Sequence, residues 1–379
     1  MPTERFRLVA GPIFKLSAIH SCCTPGTEFI LFIMVERSRN RLIQNCDRND
    51  KTMKFLVTGS AGHLGEALAR TLRELGHEVV GLDILKSPFT THVGSISERP
   101  VATHCLEGVQ AVFHSATLHK PHVATHSQQE FVDTNITGTL NLLEAAISAG
   151  VQSFIYTSTT SVFGDAMVPP VGAPAAWITE DVMPVPKNIY GVTKAAAEDL
   201  CQLFHRNHGL ACIVLRTSRF FPGQDDNREV REALSDQNLK ANEYLYRRVD
   251  IEDVVSAHML AAERAPSLGF HKFIISATTP FCQDDLGRLR NDALEIMRER
   301  VPGYETTYRR LGWKMFSGID RVYVNERARN ALGWIPRYDF SSIINILNTG
   351  DDFRSPLAKK VGSKGYHDEV VTNGPYPVS

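Results

Sequence analysis

The 379-residue chain has no long apolar run: the longest, Phe29 to Val35, has seven residues against the roughly 20 that a membrane-crossing helix needs. No spanning helix is expected, and no membrane partner. It also has no surplus of either charge, because 41 Lys+Arg stand against 42 Asp+Glu and the formal net charge is −1. Nucleic-acid backbones call for a basic excess, so a general nucleic-acid binder is excluded. Cysteine is sparse. Cys22, Cys23, Cys46, Cys105, Cys201, Cys212 and Cys282 form no C-x-x-C pair, which reads as reduced thiols of a cytoplasmic protein and excludes a disulfide framework. Internal repeats and low-complexity tracts are missing as well.

What is present is an ordinary globular composition, 43% hydrophobic and 22% charged, enough for a large core. Residues 1–52 differ from the rest. They carry eight Lys+Arg against five Asp+Glu, which leaves −4 for the remainder, and they show no sustained period. They read as a disordered leader outside the fold. Arg5, Arg7 and Lys15 against Glu4 give the first 27 residues an organelle-targeting flavour, but Pro2, Pro12 and Pro25 interrupt any long amphipathic helix.

From Met53 short apolar runs alternate with helical stretches. Lys54–Thr58, a helix over Leu64–Leu75 and Glu78–Leu82 make one βαβ unit. The pattern continues through Ala111–His114, a helix over Phe131–Ala149, Phe154–Thr157, a helix over Val192–His208 and Cys212–Leu215. Strands separated by helices imply an α/β fold, a doubly wound parallel sheet of Rossmann type. The sheet domain is expected over 53–217 and again over 249–277, where a helix Val254–Arg264 and a strand Lys272–Ser276 are expected. A smaller interleaved lobe for substrate takes 218–248 and 278–348, with an amphipathic helix Asp284–Arg300, and 349–379 form an irregular tail. A Pro-rich loop over 165–186 is expected to close over the mouth of the site.

Three motifs carry chemistry. Thr58-Gly-Ser-Ala-Gly-His-Leu-Gly65 follows the first strand and opens the first helix, where a dinucleotide pyrophosphate meets exposed N–H groups and the positive helix end. Gly59, Gly62 and Gly65, with His63 and Leu64 between them, form that loop. Asp83 ends the second strand 18 residues beyond Gly65, placed to accept from a ribose and to repel a 2′-phosphate, so NAD is favoured over NADP. A strand-end turn residue is the structural alternative for Asp83. Tyr190 and Lys194 lie four apart on one helical face, where the ammonium can lower the phenol pKa toward the range useful for proton transfer.

Taken with Val112-Phe-His-Ser-Ala116, Asn135-Ile-Thr-Gly-Thr139, Phe154-Ile-Tyr-Thr-Ser-Thr-Thr-Ser-Val-Phe-Gly164, Val249-Asp-Ile-Glu-Asp253 and Leu332-Gly-Trp-Ile-Pro336, these motifs resemble the extended short-chain dehydrogenase/reductases, the NAD-dependent epimerase/dehydratase family. The resemblance runs from about Met53 to Phe340. It implies that Tyr190 is the acid/base, that Lys194 binds the nicotinamide ribose, and that Thr159 is the hydroxyl catalyst, with Ser158 as the alternative. It further implies cofactor contacts at Ser95, Ile96, Ser115, Ala116 and Asn135, and substrate contacts at His119, Lys120, Arg219 and Arg248. A homodimer is implied too; the stripe Leu140, Leu143, Ala146 and Ile147 reads as core or dimer helix.

Two departures stand out. Arg216-Thr-Ser-Arg219 has Arg where the family's sugar-nucleotide epimerases carry Asn, which argues against a nucleotide-sugar substrate, and Ser95 replaces the acid usual after the third strand. His119, His122 and His126 have helix-compatible spacing but no completing Cys or carboxylate, so no metal is expected. Arg219, Arg247 and Arg248 fit either an anionic substrate or internal ion pairs. The expected activity is hydride transfer at a secondary alcohol or ketone carbon of a sugar-like or small hydroxy substrate. The alternatives are a dehydrogenase or reductase of a non-sugar carbonyl and a non-catalytic NAD-binding regulator.

Overall fold

Phe55 and Val57 of β1 (Lys54–Thr58) join one buried cluster and Leu56 the opposite one, so the strand is covered on both faces. That two-sided burial explains why the strands read as nearly continuous apolar runs, and it is the signature of a parallel sheet between helical layers. The computed structural model describes residues 52–364. The leader expected over 1–52 lies, but for Thr52, outside the described residues, as does the tail beyond 364.

Strands β2 (Glu78–Asp83), β3 (His92–Val93), β4 (Ala111–His114), β5 (Ser153–Thr159), β6 (Ala176–Ile178), β7 (Cys212–Thr217), β8 (Phe270–Ile275) and β9 (Arg321–Tyr323) follow β1. Seven of them form one parallel sheet in the order β3-β2-β1-β4-β5-β7-β8. The order reverses between β1 and β4, the place where doubly wound sheets open a ligand crevice. Helices α1 (His63–Glu74), α2 (Arg99–Cys105), α3 (Gly138–Ala149), α4 (Ile189–His208) and α5 (Ile251–Leu268) complete the layers. Leu68 of α1 and Val254 of α5 are buried on one face; Ala102, Leu143 and Ala197 of α2, α3 and α4 are buried on the other. Leu143 and Ala146 sit within that second core, with Leu140 and Ile147 packed against it.

A separate core is built on Tyr244, Phe281, Ile296, Tyr304, Tyr308 and Phe340, residues of the stretches expected to form the smaller lobe. Ala328, Leu332 and Trp334, which the sequence places in that lobe, pack in the sheet core instead. The reason is the indole N–H of fully buried Trp334, which donates to the Asp253 carbonyl at 3.1 Å and to Ser256 Oγ at 3.0 Å on α5.

Several expected elements differ in detail. The helix expected over 131–149 is interrupted by a π turn, Asp133–Thr137, which sets Asn135 inward. The helix expected over 284–300 breaks at Asn291-Asp292 into Leu286–Leu289 and Ala293–Arg300. The Pro-rich loop contains β6, which pairs with β9, and the Ala175 N–H donates to the Leu286 carbonyl at 2.9 Å. The loop is therefore fastened to the lobe and is no free flap. Residues after 348 include the helix Pro356–Val361, where irregular chain is expected. Its Val361 is buried against the sheet core.

At the first βα turn two glycines set the close packing. Gly59 has φ +71°, and a Cβ on Gly65 would stand 1.9 Å from the Gly59 carbonyl oxygen. Gly65→Ala is therefore expected to force the loop off the helix and lower stability by about 1–3 kcal/mol, the usual cost of overpacking. Denaturant unfolding of the variant checks this; unchanged stability would contradict the close approach.

Candidate functional site

A cleft of about 1500 Å³ runs along the carboxyl ends of β1, β4, β5 and β7. Single-ligand sites measure roughly 300–1,000 Å³, so this one has room for two molecules. Every site residue expected from sequence lines it except Asn135 and Arg248.

At one end lies the loop after β1. Helix α1 begins at Gly62 without a side-chain cap, so its first turn presents backbone N–H groups and the positive end of the helix dipole to the cleft. Asp83 braces this loop: Oδ2 accepts from the Ala61 N–H at 2.9 Å and Oδ1 from the Leu85 N–H at 2.8 Å. Each oxygen keeps a further lone pair, and the carboxylate borders the cleft. Ser95 Oγ pairs with Ser97 Oγ at 2.7 Å, and Ser115 Oγ donates to the Thr58 carbonyl at 2.7 Å. Ala116 N–H donates to Thr58 Oγ1 at 3.1 Å.

Behind the loop runs a buried polar chain that sequence reasoning missed. Thr58 Oγ1 meets His114 Nδ1 at 2.8 Å, His114 Nε2 meets Thr139 Oγ1 at 3.0 Å, and Thr139 donates to the Asn135 carbonyl at 2.7 Å. Burial, aided by the nearby Lys194 charge, holds His114 well below the ordinary histidine range and therefore neutral. Asn135 is committed on both sides. Its Oδ1 accepts from Thr117 and from the Leu118 N–H, and its Nδ2 donates to the Leu118 carbonyl and to Thr193 Oγ1 at 3.0 Å. It fastens the β4 loop to α4 and is not part of the cleft lining.

Helix α4 starts at Asn188, whose Oδ1 accepts from the Gly191 N–H at 3.1 Å, and this cap places Tyr190 in the first turn. The Tyr190 phenol lies beside the Thr159 hydroxyl at the end of β5, and both line the cleft. Burial pushes the phenol up to about 12 against the lowering effect of the Thr159 hydroxyl. In the protein alone the shift is therefore upward, opposite to the expected lowering, and its opposing contribution comes from Thr159, not from Lys194. One turn on, the Lys194 ammonium donates to the Thr157 carbonyl at 2.6 Å and lies 4.1 Å from the centre of the Tyr156 ring. Burial pulls it down to about 7, opposed by Glu198 and Cys201. Ser158 turns the other way: its hydroxyl donates to Glu198 Oε1 at 2.6 Å, and Glu198 is ion-paired to Arg216 at 2.7 Å and to Lys272 at 3.1 Å. Thr159, and not Ser158, is the hydroxyl beside Tyr190. The signal for Glu198 was present in sequence, four residues past Lys194 on the same helical face.

The far wall is rich in arginine. Glu243, fully buried at the end of the helix Asp236–Glu243, is ion-paired to Arg219 at 3.2 Å, Arg247 at 2.7 Å and Arg248 at 2.7 Å. Asp225 takes Arg219 at 2.6 Å. Arg248 also donates to the Phe221 carbonyl at 3.1 Å and is buried behind the wall; Arg247 reaches the cleft in its place. Near the mouth the His119 ring stacks on Phe221 at 5.6 Å and meets His122 at 4.6 Å, while Lys120 pairs with Asp226 across the cleft. Among the described residues no group of His, Cys, Asp and Glu is arranged to hold a metal, and no helix is long and apolar enough to cross a membrane.

Comparison with known proteins places this geometry. Residues 55–273 match the model of the NAD dependent epimerase/dehydratase family. The chain is 30% identical over 185 residues to an uncharacterized UDP-glucose epimerase, YtcB, of Bacillus subtilis, covering 43% of this chain and 55% of that protein. It thus spans about half the length of that relative. It is 24% identical over 330 residues to a 3-beta-hydroxysteroid dehydrogenase of Mycolicibacterium neoaurum, covering 75% of this chain and 87% of the relative. Among solved structures, a short-chain dehydrogenase/reductase superfamily protein of Agrobacterium tumefaciens with bound NAD superposes with a TM-score of 0.57 at 22% identity, covering 81% of this chain and 99% of that one.

The far wall yields a pH test. Burial pushes the Glu243 carboxyl up, but the charges of Arg248, Arg247 and Arg219 outweigh it and hold it down at about 2. A depressed carboxylate stabilises the fold above its ordinary value near 4.5 and loses that contribution as pH falls toward 2. Glu243→Gln should therefore cost about 3–5 kcal/mol near neutral pH, as for removal of one partner of a buried ion pair. The gap to the unsubstituted protein should narrow below about pH 4.5. Unfolding measured across that range checks it.

Proposed function

Because the chain belongs to the NAD dependent epimerase/dehydratase family, we propose that it acts on a secondary alcohol or ketone carbon of a sugar-like or small hydroxy substrate. The observation that carries this reading is the Tyr190 phenol, beside the Thr159 hydroxyl and one helical turn from buried Lys194, on the wall of a cleft large enough for cofactor and substrate together. The residues present fit the cofactor. A Cβ at Gly59 would strike the Ala116 backbone at 2.8 Å, while Gly62 meets only the Gly59 carbonyl at 3.2 Å, so the loop packs tightly behind and stays open in front. Gly62, His63, Leu64 and Gly65 would face the pyrophosphate, Asp83 the adenosine ribose, and Lys194 the nicotinamide ribose. NAD, when bound, supplies the hydride acceptor and donor.

The chain's own groups manage the proton. At neutral pH the Tyr190 oxygen holds its proton, since burial raises it to about 12, and is set to give it to a substrate carbonyl oxygen. In the reverse direction the same oxygen takes the hydroxyl proton, which requires its pKa to fall. The Thr159 hydroxyl favours that fall by donating to the phenolate, and a positive charge on Lys194, one turn away, would favour it as any nearby cation does. Thr159 is also bonded locally, accepting from the Ser161 N–H at 3.1 Å, which fixes its rotamer. A dehydrogenase or reductase of a non-sugar carbonyl uses the same groups, and Arg219 favours that second reading: pinned by Asp225 and Glu243, it fills the wall where sugar-nucleotide epimerases carry the smaller Asn.

Tyr190→Phe should abolish turnover while NAD binding stays nearly intact, because the change removes the titratable oxygen and little else. Turnover within a few-fold of the unsubstituted enzyme would refute the assignment. Asp83 generates a second expectation: NAD(H) binds more tightly than NADP(H), and Asp83→Ala narrows the gap; titration with both cofactors decides. A third concerns substrate. With Arg219 fixed in the wall, UDP-glucose and UDP-galactose should interconvert with kcat/KM below roughly 10⁴ M⁻¹s⁻¹, the lower end for ordinary enzymes.

A further inference from the structure

The segment after the lobe returns to the cofactor end of the cleft. Ser355, fully buried, caps the helix Pro356–Val361, and its N–H donates to Asp250 Oδ2 at 3.2 Å. The Leu357 N–H faces Glu252 Oε2 at 3.4 Å, and Lys360 reaches Glu74 at the far end of α1 at 3.5 Å. Past Gly362 the chain lies along the start of α1: the Lys364 N–H donates to His63 Nε2 at 2.9 Å, and the Lys364 ammonium is paired with Glu66. Lys364 is itself part of the cleft wall.

Glu66 makes this placement informative. It is a buried carboxylate in the first turn of α1, directly behind the N–H groups that face an incoming pyrophosphate. An anion there opposes the very charge the helix end is arranged to receive. Arg70, at 2.7 Å, answers it from the helix side, but among the described residues Lys364 is the cation that answers it from the cleft side. The neutral His63 ring accepts the Lys364 N–H and so fixes the position of the segment that delivers the ammonium.

We propose that Lys364, carried in by the C-terminal segment, is a determinant of NAD affinity: it neutralises Glu66 and adds a positive charge at the pyrophosphate end of the cleft. This rests on the cofactor reading above. It assigns a cofactor-binding role to a residue about 90 positions beyond the stretch matched by the family model, which ends at 273.

The test is NAD titration of the full chain by calorimetry or quenching of intrinsic fluorescence, at low and at high salt. Lys364→Gln should weaken NAD binding about tenfold at low salt, with the difference shrinking as salt screens the charge. Glu66→Gln combined with Lys364→Gln should recover most of the loss, because the repelling carboxylate is then gone. A purely structural role would instead lower Tm and leave affinity, its salt dependence and the rescue unmoved. An unsubstituted protein that binds no NAD overturns the cofactor reading and this inference with it. Binding that Lys364→Gln leaves unchanged overturns this inference alone.

Discussion

The site depends on one costly placement, an ammonium buried between β5 and α4. Lys194 is 2% exposed, and a lone charge at such a position would be driven neutral or expelled. Three neighbours hold it: the Thr157 carbonyl, the face of the Tyr156 ring and, one turn along α4, the Glu198 carboxylate. Glu198 is in turn saturated by Arg216, Lys272 and Ser158. This column fixes the rotation of α4 relative to β5. Tyr190, one turn before Lys194, is thereby brought to Thr159 and nowhere else. Asn135 secures the same helix from the other side through Thr193. The Tyr190 and Thr159 hydroxyls therefore sit on a helix and a strand whose alignment is set by buried polar contacts, not by loop conformation.

That column also explains what was legible in sequence and what was not. The apolar period of Lys54–Thr58 and the glycines at 59, 62 and 65 are local signals, so the sheet, the first helix and the loop could be read directly. Tyr190 and Lys194 could be read as a spaced pair. The phenol pKa could not, since burial dominates it and depends on what the fold stacks around the ring. The choice between Ser158 and Thr159 turned on which hydroxyl points at Glu198, a contact spanning 40 residues. The amide partners of Asn135 were hidden for the same reason: its residue type fits a ligand contact, and the bonds to Thr117, Leu118 and Thr193 that occupy it depend on the fold.

The far wall shows the converse case, in which residue types were read correctly and their partners were open. Arg219, Arg247 and Arg248 fit an anionic ligand or internal pairing equally well on sequence. Glu243 decides for pairing. A carboxylate with no exposure cannot stand alone, and three guanidinium groups from two stretches of chain converge on it. The wall is thus a packed ionic cluster that joins the loop after β7 to the start of α5, with Arg219 and Arg247 as its face on the cleft.

Among the described residues, several cations that border the ligand space already have protein anions: Lys120 with Asp226, Arg219 with Asp225, Lys364 with Glu66. An anionic ligand that reaches one of these three cations meets a charge that is already paired. It must share or exchange partners with a carboxylate, and the gain is the difference between two ion pairs, much smaller than either alone. Such a cleft discriminates by geometry more than by charge, because only a ligand whose anionic groups fall within reach of the existing cations recovers what it disturbs. The uncapped start of α1 is the exception, since its N–H groups have no side-chain anion to give up. On the proposed reading, that asymmetry favours anchoring of the dinucleotide at the loop after β1 and leaves the paired arginines and lysines to sort what binds beside it.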